Sequence, residues 1–563
     1  MKFLMLVSVG LLSTVGALYG FGAQTFYLPR SQAVNAVREL VGWQSQIHQA
    51  GMEHWYGSVS AAVEYGRSFR EEKLATLLFG GNRVIFSGSL VPNRRANDIL
   101  ADYFGLPFCF ESTVCFKPCI SNVVFDLDWY QGFDTCLPGL YLIVHLPMVH
   151  SKADLHMEEN VISGIDDACA KKALYPAGYM NSVNVTRDAM NRNVQEAFTG
   201  LHTVGELEPL KYGRIFGREV RSRIAELQLT LGYAFLLSDW YHLGLGLRVA
   251  LPTGNRPDMA FLFDATVGNG HHWEFGGQLT SHVKVWESEN LRHALGLYLD
   301  ANITHLFSDT QNRSYDLTAQ GTGSRYMLLQ ECAPKSSDLE LSAVGPAAPY
   351  QFIGRIVPAI NVTTLPSSMS MAVQADVVCK LAYQRDDGFE FDIGYNLYAR
   401  SKEQIGCRQK LPENRFAAKG DAQVYGFNAA QEPIRLAASQ SKATVYKAQD
   451  AGNFVSGVAY TNANADSPVP AFDGAGLAIN QLNTTDSTDR GIPQAQINTS
   501  NPSLFIKDVD INESSALVAR AISNTLFVHA NKTWWVEGEG FTPFLGAGIS
   551  TELGGHCLRD NRA

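Results

Sequence analysis

Asp126 and Asp128 stand two residues apart, which on a strand puts both carboxylates on one face. Paired carboxyl groups can exchange a proton or hold a cation; in a β-rich chain they can also line a channel, the reading preferred for these two. Cys115 and Cys119, with Cys109 nearby, are spaced like metal ligands, yet no histidine lies within ligand spacing, and a loop disulfide accounts for them more simply. His271 and His272 are adjacent rather than four apart, so they do not share a helix face as a metal pair would, and they read as part of a solvated loop. There is no Gly-x-Ser-x-Gly elbow, no His-Glu-x-x-His helix and no phosphate-binding Walker loop. No enzymatic activity, metal or cofactor is expected.

The elements that hold these residues begin with the N-terminus. Lys2 precedes an apolar run over 3–17 that is too short to span a bilayer but has the length of a signal-peptide core, with small residues for cleavage between Ala17 and Ala23. Residues 1–23 are therefore read as a signal peptide, and export as the consequence. Over 24–54, Val34, Val37, Leu40 and Val41 recur at helical spacing and predict a short amphipathic helix, which either plugs a lumen or stays in the periplasm. No later run reaches about 18 apolar residues, so no spanning helix is expected. The net charge of −10 argues against nucleic acid as a partner, and nine cysteines in 563 residues are too dilute for a disulfide framework.

Long segments with strict period-two alternation carry the main signal. Over 225–235, Leu227, Leu229, Leu231 and Tyr233 alternate with Glu226, Gln228, Thr230 and Gly232; after Ser238 and Asp239, Leu243, Leu245, Leu247 and Val249 alternate with His242, Gly244, Gly246 and Arg248. Further hairpins follow over 273–303 and 371–397, weaker ones over 123–146 and 515–551, and a lone strand over 55–69. Soluble strands run about five or six residues, whereas membrane-spanning strands need about 9–11, and these runs are of the longer kind. Aromatic residues gather beside the short turns, among them Trp240, Tyr241, Trp286, Phe389, Trp534 and Trp535, as at a membrane interface. The connections on the other side are long: 70–122, 148–220, 252–272, 308–370 and 401–514. The last is polar enough to be partly disordered, and helical stretches within the first two are placed over or in the mouth.

In these features the chain resembles the Gram-negative outer-membrane porin-like barrels as a class; the likeness is architectural and singles out no family. It implies an all-β fold: a transmembrane antiparallel β-barrel of about 12 strands over 55–553, with long extracellular loops, a short N-terminal helix and a polar tail at 554–563. It implies residence in the bacterial outer membrane, contact with the lipid bilayer, and passive diffusion of small polar solutes or ions. The residues expected to line the pore are Glu226, Gln228, Arg248, Glu274, Gln278, Lys284, Asp300, Asn302, Asp376, Lys380, Glu390 and Asp392. Acid exceeds base among the polar-face residues, which implies weak cation preference. Two alternatives remain: an adhesin or receptor that displays its long loops to a host-surface ligand, and a surface hydrolase carried on the barrel.

The strand count raises one difficulty. The assignment yields eleven strands where bacterial single-chain barrels normally have an even number. The expectation is that a closing strand is missing, with a full-length relative continuing for about 10–20 residues to an aromatic end. The competing expectation is that 82–86 or 350–364 supplies the missing strand.

Overall fold

Alternation gives each strand one apolar and one polar face, and in the computed structural model these strands join side by side into one large curled antiparallel sheet. The structure describes residues 28–51, 55–89, 91–92, 94–166, 175, 179–180, 187–334, 350–420, 422, 424–427, 433–435, 439–440, 443–447, 505–535 and 542–554. The continuous path of the sheet follows chain order: β1 (Tyr56–Arg67), β2 (Cys119–Gly132), β3 (Leu140–Asp154), β4 (Leu227–Leu237), β5 (Tyr241–Leu251), β6 (Glu274–Glu287), β7 (His293–Ser314), β8 (Thr364–Arg385), β9 (Phe389–Arg400), β10 (Ala521–Thr533) and β11 (Phe544–Gly554). Two shorter strands, Arg218–Ile224 beside β3 and Glu403–Arg408 beside β8, bring the sheet to 13. Among the described residues no helix is long and apolar enough to cross a membrane.

Among the described residues the path thus has eleven strands, the number that the sequence assignment yields, without a twelfth. Among the described residues β1 pairs only with β2, and β11 only with β10. Both candidates for a further strand do form strands, Arg83–Ser87 and Tyr350–Pro358, but each belongs to a small separate sheet. The signal peptide at 1–23, most of the tail at 554–563 and most of the segment expected to be disordered lie outside the described residues.

Other boundaries shift for physical reasons. The helix expected within 24–54 shrinks to α1 (Ala36–Glu39) and a 3-10 turn, Gln44–Gln46. Gly42, at φ +68, interrupts it, and a Cβ there would stand 3.3 Å from the Gly546 backbone. Strands β7 and β8, with 22 residues each, run well past the limits set by the expected loop 308–370, and β3 runs past residue 148. β10 begins at Ala521 rather than 515, because Glu513–Ala516 is a 3-10 turn.

The long connections fold together instead of remaining separate loops. Phe86 and Phe104 from 70–122, Phe198 from 148–220 and Tyr326 from 308–370 pack in succession, edge-to-face or tilted, with ring centroids 5.2–5.5 Å apart, and Val445 of 401–514 joins the same buried cluster. We call this unit the cap. The helical stretches expected in the first two connections are reduced to the turn Ala101–Phe104 and the short helix Val194–Thr199, and both pack into it.

The curl of the sheet depends on close approaches that glycine permits. The Tyr141 ring lies over its cross-strand partner Gly232, and the Phe527 ring over Gly394; a Cβ at either glycine would stand 2.2 Å from a ring atom. Gly394→Val should therefore lower stability by about 1–3 kcal/mol in urea titrations, as overpacking does. Gly66→Val, where the nearest atom is the end of Glu64 at 4.0 Å, should be close to neutral in the same titration.

Candidate functional site: the occupied inner face

The polar residues of alternating strands converge on the inner face, and residues 28–51 lie against that face. Burial of so many charged and amide groups demands partners. Arg30 donates to Asp376 Oδ1 on β8 at 2.5 Å and to Asn396 Oδ1 on β9 at 3.0 Å. Arg38 donates to Asp126 Oδ2 on β2 at 2.7 Å and to Glu64 Oε2 on β1 at 2.8 Å. Between them, Ser31 Oγ donates to the carboxylate of Glu226, and Gln228 Nε2 donates to the Ala33 carbonyl at 2.9 Å. Gln44 donates to Asp300 Oδ2 at 2.8 Å, and Gln46 to Thr533 Oγ1 at 3.0 Å. The apolar positions of the same segment pack in patches: Ala36, Val37 and Leu40 with Val378 and Phe527, and Trp43 and Ile47 with Tyr130 and Tyr141.

This segment also touches both ends of the sheet path. Trp43 Nε1 donates to Ser58 Oγ of β1 at 2.9 Å, while Arg30 Nη1 lies 3.8 Å from Glu552 Oε1 of β11. Burial works against the charge on Arg38, but Asp126 and Glu64 more than offset it and hold its pKa above the ordinary guanidinium value.

Ten of the twelve residues expected to line a pore are buried on the inner face: Glu226, Gln228, Arg248, Glu274, Asp300, Asn302, Asp376, Lys380, Glu390 and Asp392. Gln278 and Lys284 are half-buried there. Several pair with one another instead of with solvent. Lys380 Nζ donates to Asp392 Oδ2 at 2.9 Å, Arg248 donates to Gln228, and Glu274 accepts from Asn269 at 2.7 Å. Lys284 binds Glu287 at 2.7 Å near the short turns. A cavity of about 30 Å³ lies between segment and sheet, lined by Glu39, His48, Asp128, His145, Asp300 and Asn302 among others.

Asp126 and Asp128 do share a face, as expected, and the fold adds His145, the cross-strand partner of Asp128. His145 Nδ1 contacts Asp128 Oδ1 directly and lies 3.3 Å from Asp126 Oδ1, while its Nε2 lies 3.6 Å from Glu39 Oε1. The other candidates separate. Cys115 and Cys119 are free thiols, whereas Cys109 is disulfide-bonded, so the expected loop disulfide takes in Cys109 but neither of the other two. His272 is not a solvated loop residue: it is fully buried, its Nδ1 2.7 Å from the Phe307 carbonyl, and His271 turns away toward Asp309.

Arg30, Arg38 and His145 were not singled out by the sequence reading. In the sequence His145 is only an interruption in an apolar run, and it is strand pairing that sets it opposite Asp128. The two arginines offered no local signal, since their partners lie far along the chain. No family model matches the chain, and no curated protein matches it in sequence.

One consequence concerns pH. His48 is buried against Tyr130, Tyr141 and His242, and burial, helped by His282, pushes its pKa down to about 3. In the unfolded chain it would titrate at about 6.5, so between these values the unfolded state binds the extra proton. His48 therefore adds stability that is present above about pH 6.5 and is lost as the pH falls below it. Taking the protein from pH 7 to pH 5 should cost about 2 kcal/mol in unfolding titrations through this group, and His48→Gln should flatten that part of the profile. An unchanged slope in the variant would assign the acid sensitivity to other groups.

Proposed function

We propose that the sheet is the wall of a bacterial outer-membrane β-barrel, and that the protein is a porin-like channel whose path for small polar solutes is closed by its own N-terminal segment. The observation that carries this reading is the inversion of the usual burial pattern. Polar side chains fill the inner face, while Leu245 (56 %), Leu247 (61 %), Ile303 (54 %), Ile393 (55 %) and Ile549 (77 %) stay exposed on the outer one. A contiguous apolar surface on that scale is unusual for a soluble protein and is what hydrocarbon requires of a spanning strand. Exposed aromatic residues support the same reading at both margins: Trp240, Tyr241, Trp286 and Trp535 near the short turns, and Tyr65, Trp273 and Phe307 near the cap.

With the N-terminal segment in place, the cavity of about 30 Å³ beside it is too small for a solute, and on this reading solutes pass when residues 28–51 leave the inner face. The lining then exposed is rich in Asp and Glu, which favours cations. A second reading rests on a separate observation. The cap has a hydrophobic core of its own, drawn from all five long connections, and a folded unit of this kind suits an adhesin or receptor.

Planar-bilayer recording separates the two. The wild-type protein should show little steady conductance, and a variant carrying Arg30→Ala and Arg38→Ala, with its sheet verified by circular dichroism, should show severalfold larger, cation-selective openings. Equal open conductance in both would contradict closure by the segment. Silence in both would favour the display reading.

A further inference from the structure

The cluster of Asp126, Asp128 and His145 lies between the sheet and the N-terminal segment, and its ligand-type atoms all fall within 4.8 Å of one another. All three side chains are buried, and three of their polar atoms have no hydrogen-bond partner: Asp126 Oδ1, Asp128 Oδ2 and His145 Nε2. Around them the formal charges do not balance. Asp126, Asp128, Glu39 and Glu64 are four carboxylates against two guanidiniums, that of Arg38, which is bonded to Asp126 Oδ2 and Glu64 Oε2, and that of Arg30, which acts on Glu39 without bonding it. Unpartnered polar atoms at such a depth, with excess negative charge, call for a cation.

We propose that these three residues bind a divalent transition-metal ion of the zinc class. Its ligands are His145 Nδ1 and one oxygen each from Asp126 and Asp128. One imidazole nitrogen with two carboxylates suits a borderline ion better than calcium or magnesium, which take oxygen donors. The separation of 3.3 Å between His145 Nδ1 and Asp126 Oδ1 equals the edge of a tetrahedron with metal–ligand bonds of about 2.0–2.1 Å. Asp128 Oδ1 sits closer to the ring and withdraws slightly to admit the ion. A fourth position opens toward the cavity of about 30 Å³, which has room for a water ligand.

The surroundings are those that orient a metal-bound imidazole. Glu39, carried by α1 of the N-terminal segment, lies 3.6 Å from His145 Nε2 and is placed to receive its N–H, while Arg38 Nε holds Asp126 Oδ2 at 2.7 Å. The ion would thereby couple the segment to β2 and β3 through Glu39 and Arg38. Bound metal and a seated segment should favour one another.

The test uses the full chain, refolded from denaturant after chelation, with and without one equivalent of Zn²⁺ or Co²⁺. Expected are about one ion retained per chain after gel filtration, a higher melting temperature, and the strong visible absorption of four-coordinate cobalt. His145→Gln and Asp128→Asn should each weaken uptake at least tenfold. Failure of wild type to retain metal, with its melting temperature unchanged, overturns the proposal and leaves a proton on His145 as the counter-charge. Equal uptake by wild type and variants overturns it as well, by assigning the ion to surface groups. Should both variants fail to fold, the cobalt spectrum of wild type still decides: weak bands typical of six oxygen ligands exclude the imidazole site.

Discussion

Carboxylates on the inner face meet two arginines of the N-terminal segment, and the rest of the architecture depends on that pairing. Asp376 and Asp126 are fully buried, at positions well separated around the curl, and each is held by a different guanidinium, Arg30 or Arg38. A buried carboxylate without a partner costs several kcal/mol, so an inner face of this composition cannot stay both dry and empty. Either water fills it or another polar element does. Residues 28–51 are that element here, and their Gln, Ser and backbone groups satisfy the neighbours that the arginines do not reach. Because the segment also contacts β1 and β11, the two ends of the strand path are linked through it although they do not pair with each other among the described residues.

Much of the sheet was legible in the sequence, because period-two alternation is local. The placement of Leu229, Leu245, Leu297 and Ile393 on one face, with Gln228, Arg248, Asp300 and Asp392 on the other, follows from counting by twos, and the structure has the same division. The hairpin order was equally readable from short turns such as Ser238-Asp239 and Asp386-Asp387-Gly388. Strand ends were not: β7 and β8 continue beyond their alternating cores by pairing with each other out to Ser314 and Thr364, and no residue near 308 or 370 signals that. The cap core was unreadable for a similar reason. Phe86, Phe104, Phe198 and Tyr326 come from three connections far apart in the chain, and each alone reads as an aromatic residue in a loop. The inner-face cluster was half visible. Asp126 and Asp128 announce themselves by spacing, whereas His145 and Glu39 reach them only through strand pairing and through the path of the N-terminal segment.

The two faces of the sheet divide the protein's tasks. The outer face is apolar and exposed, and on the membrane reading it meets the bilayer. The inner face is polar and occupied, and the cap has a hydrophobic core of its own. Any change in accessibility of the lumen, on the membrane reading, must begin with the N-terminal segment, since it occupies the space and carries the counter-charges. The segment has little regular structure, a four-residue helix and one 3-10 turn. Its position therefore rests on side-chain pairing, which can be undone stepwise, more than on secondary structure of its own.

Hydrogen–deuterium exchange tests this account most directly. If residues 28–51 are bound to the inner face through Arg30 and Arg38, their amides should exchange slowly, with protection near that of β2 and β8. Exchange of this segment within seconds, while the strands stay protected, would show that it does not occupy the inner face and would contradict the account.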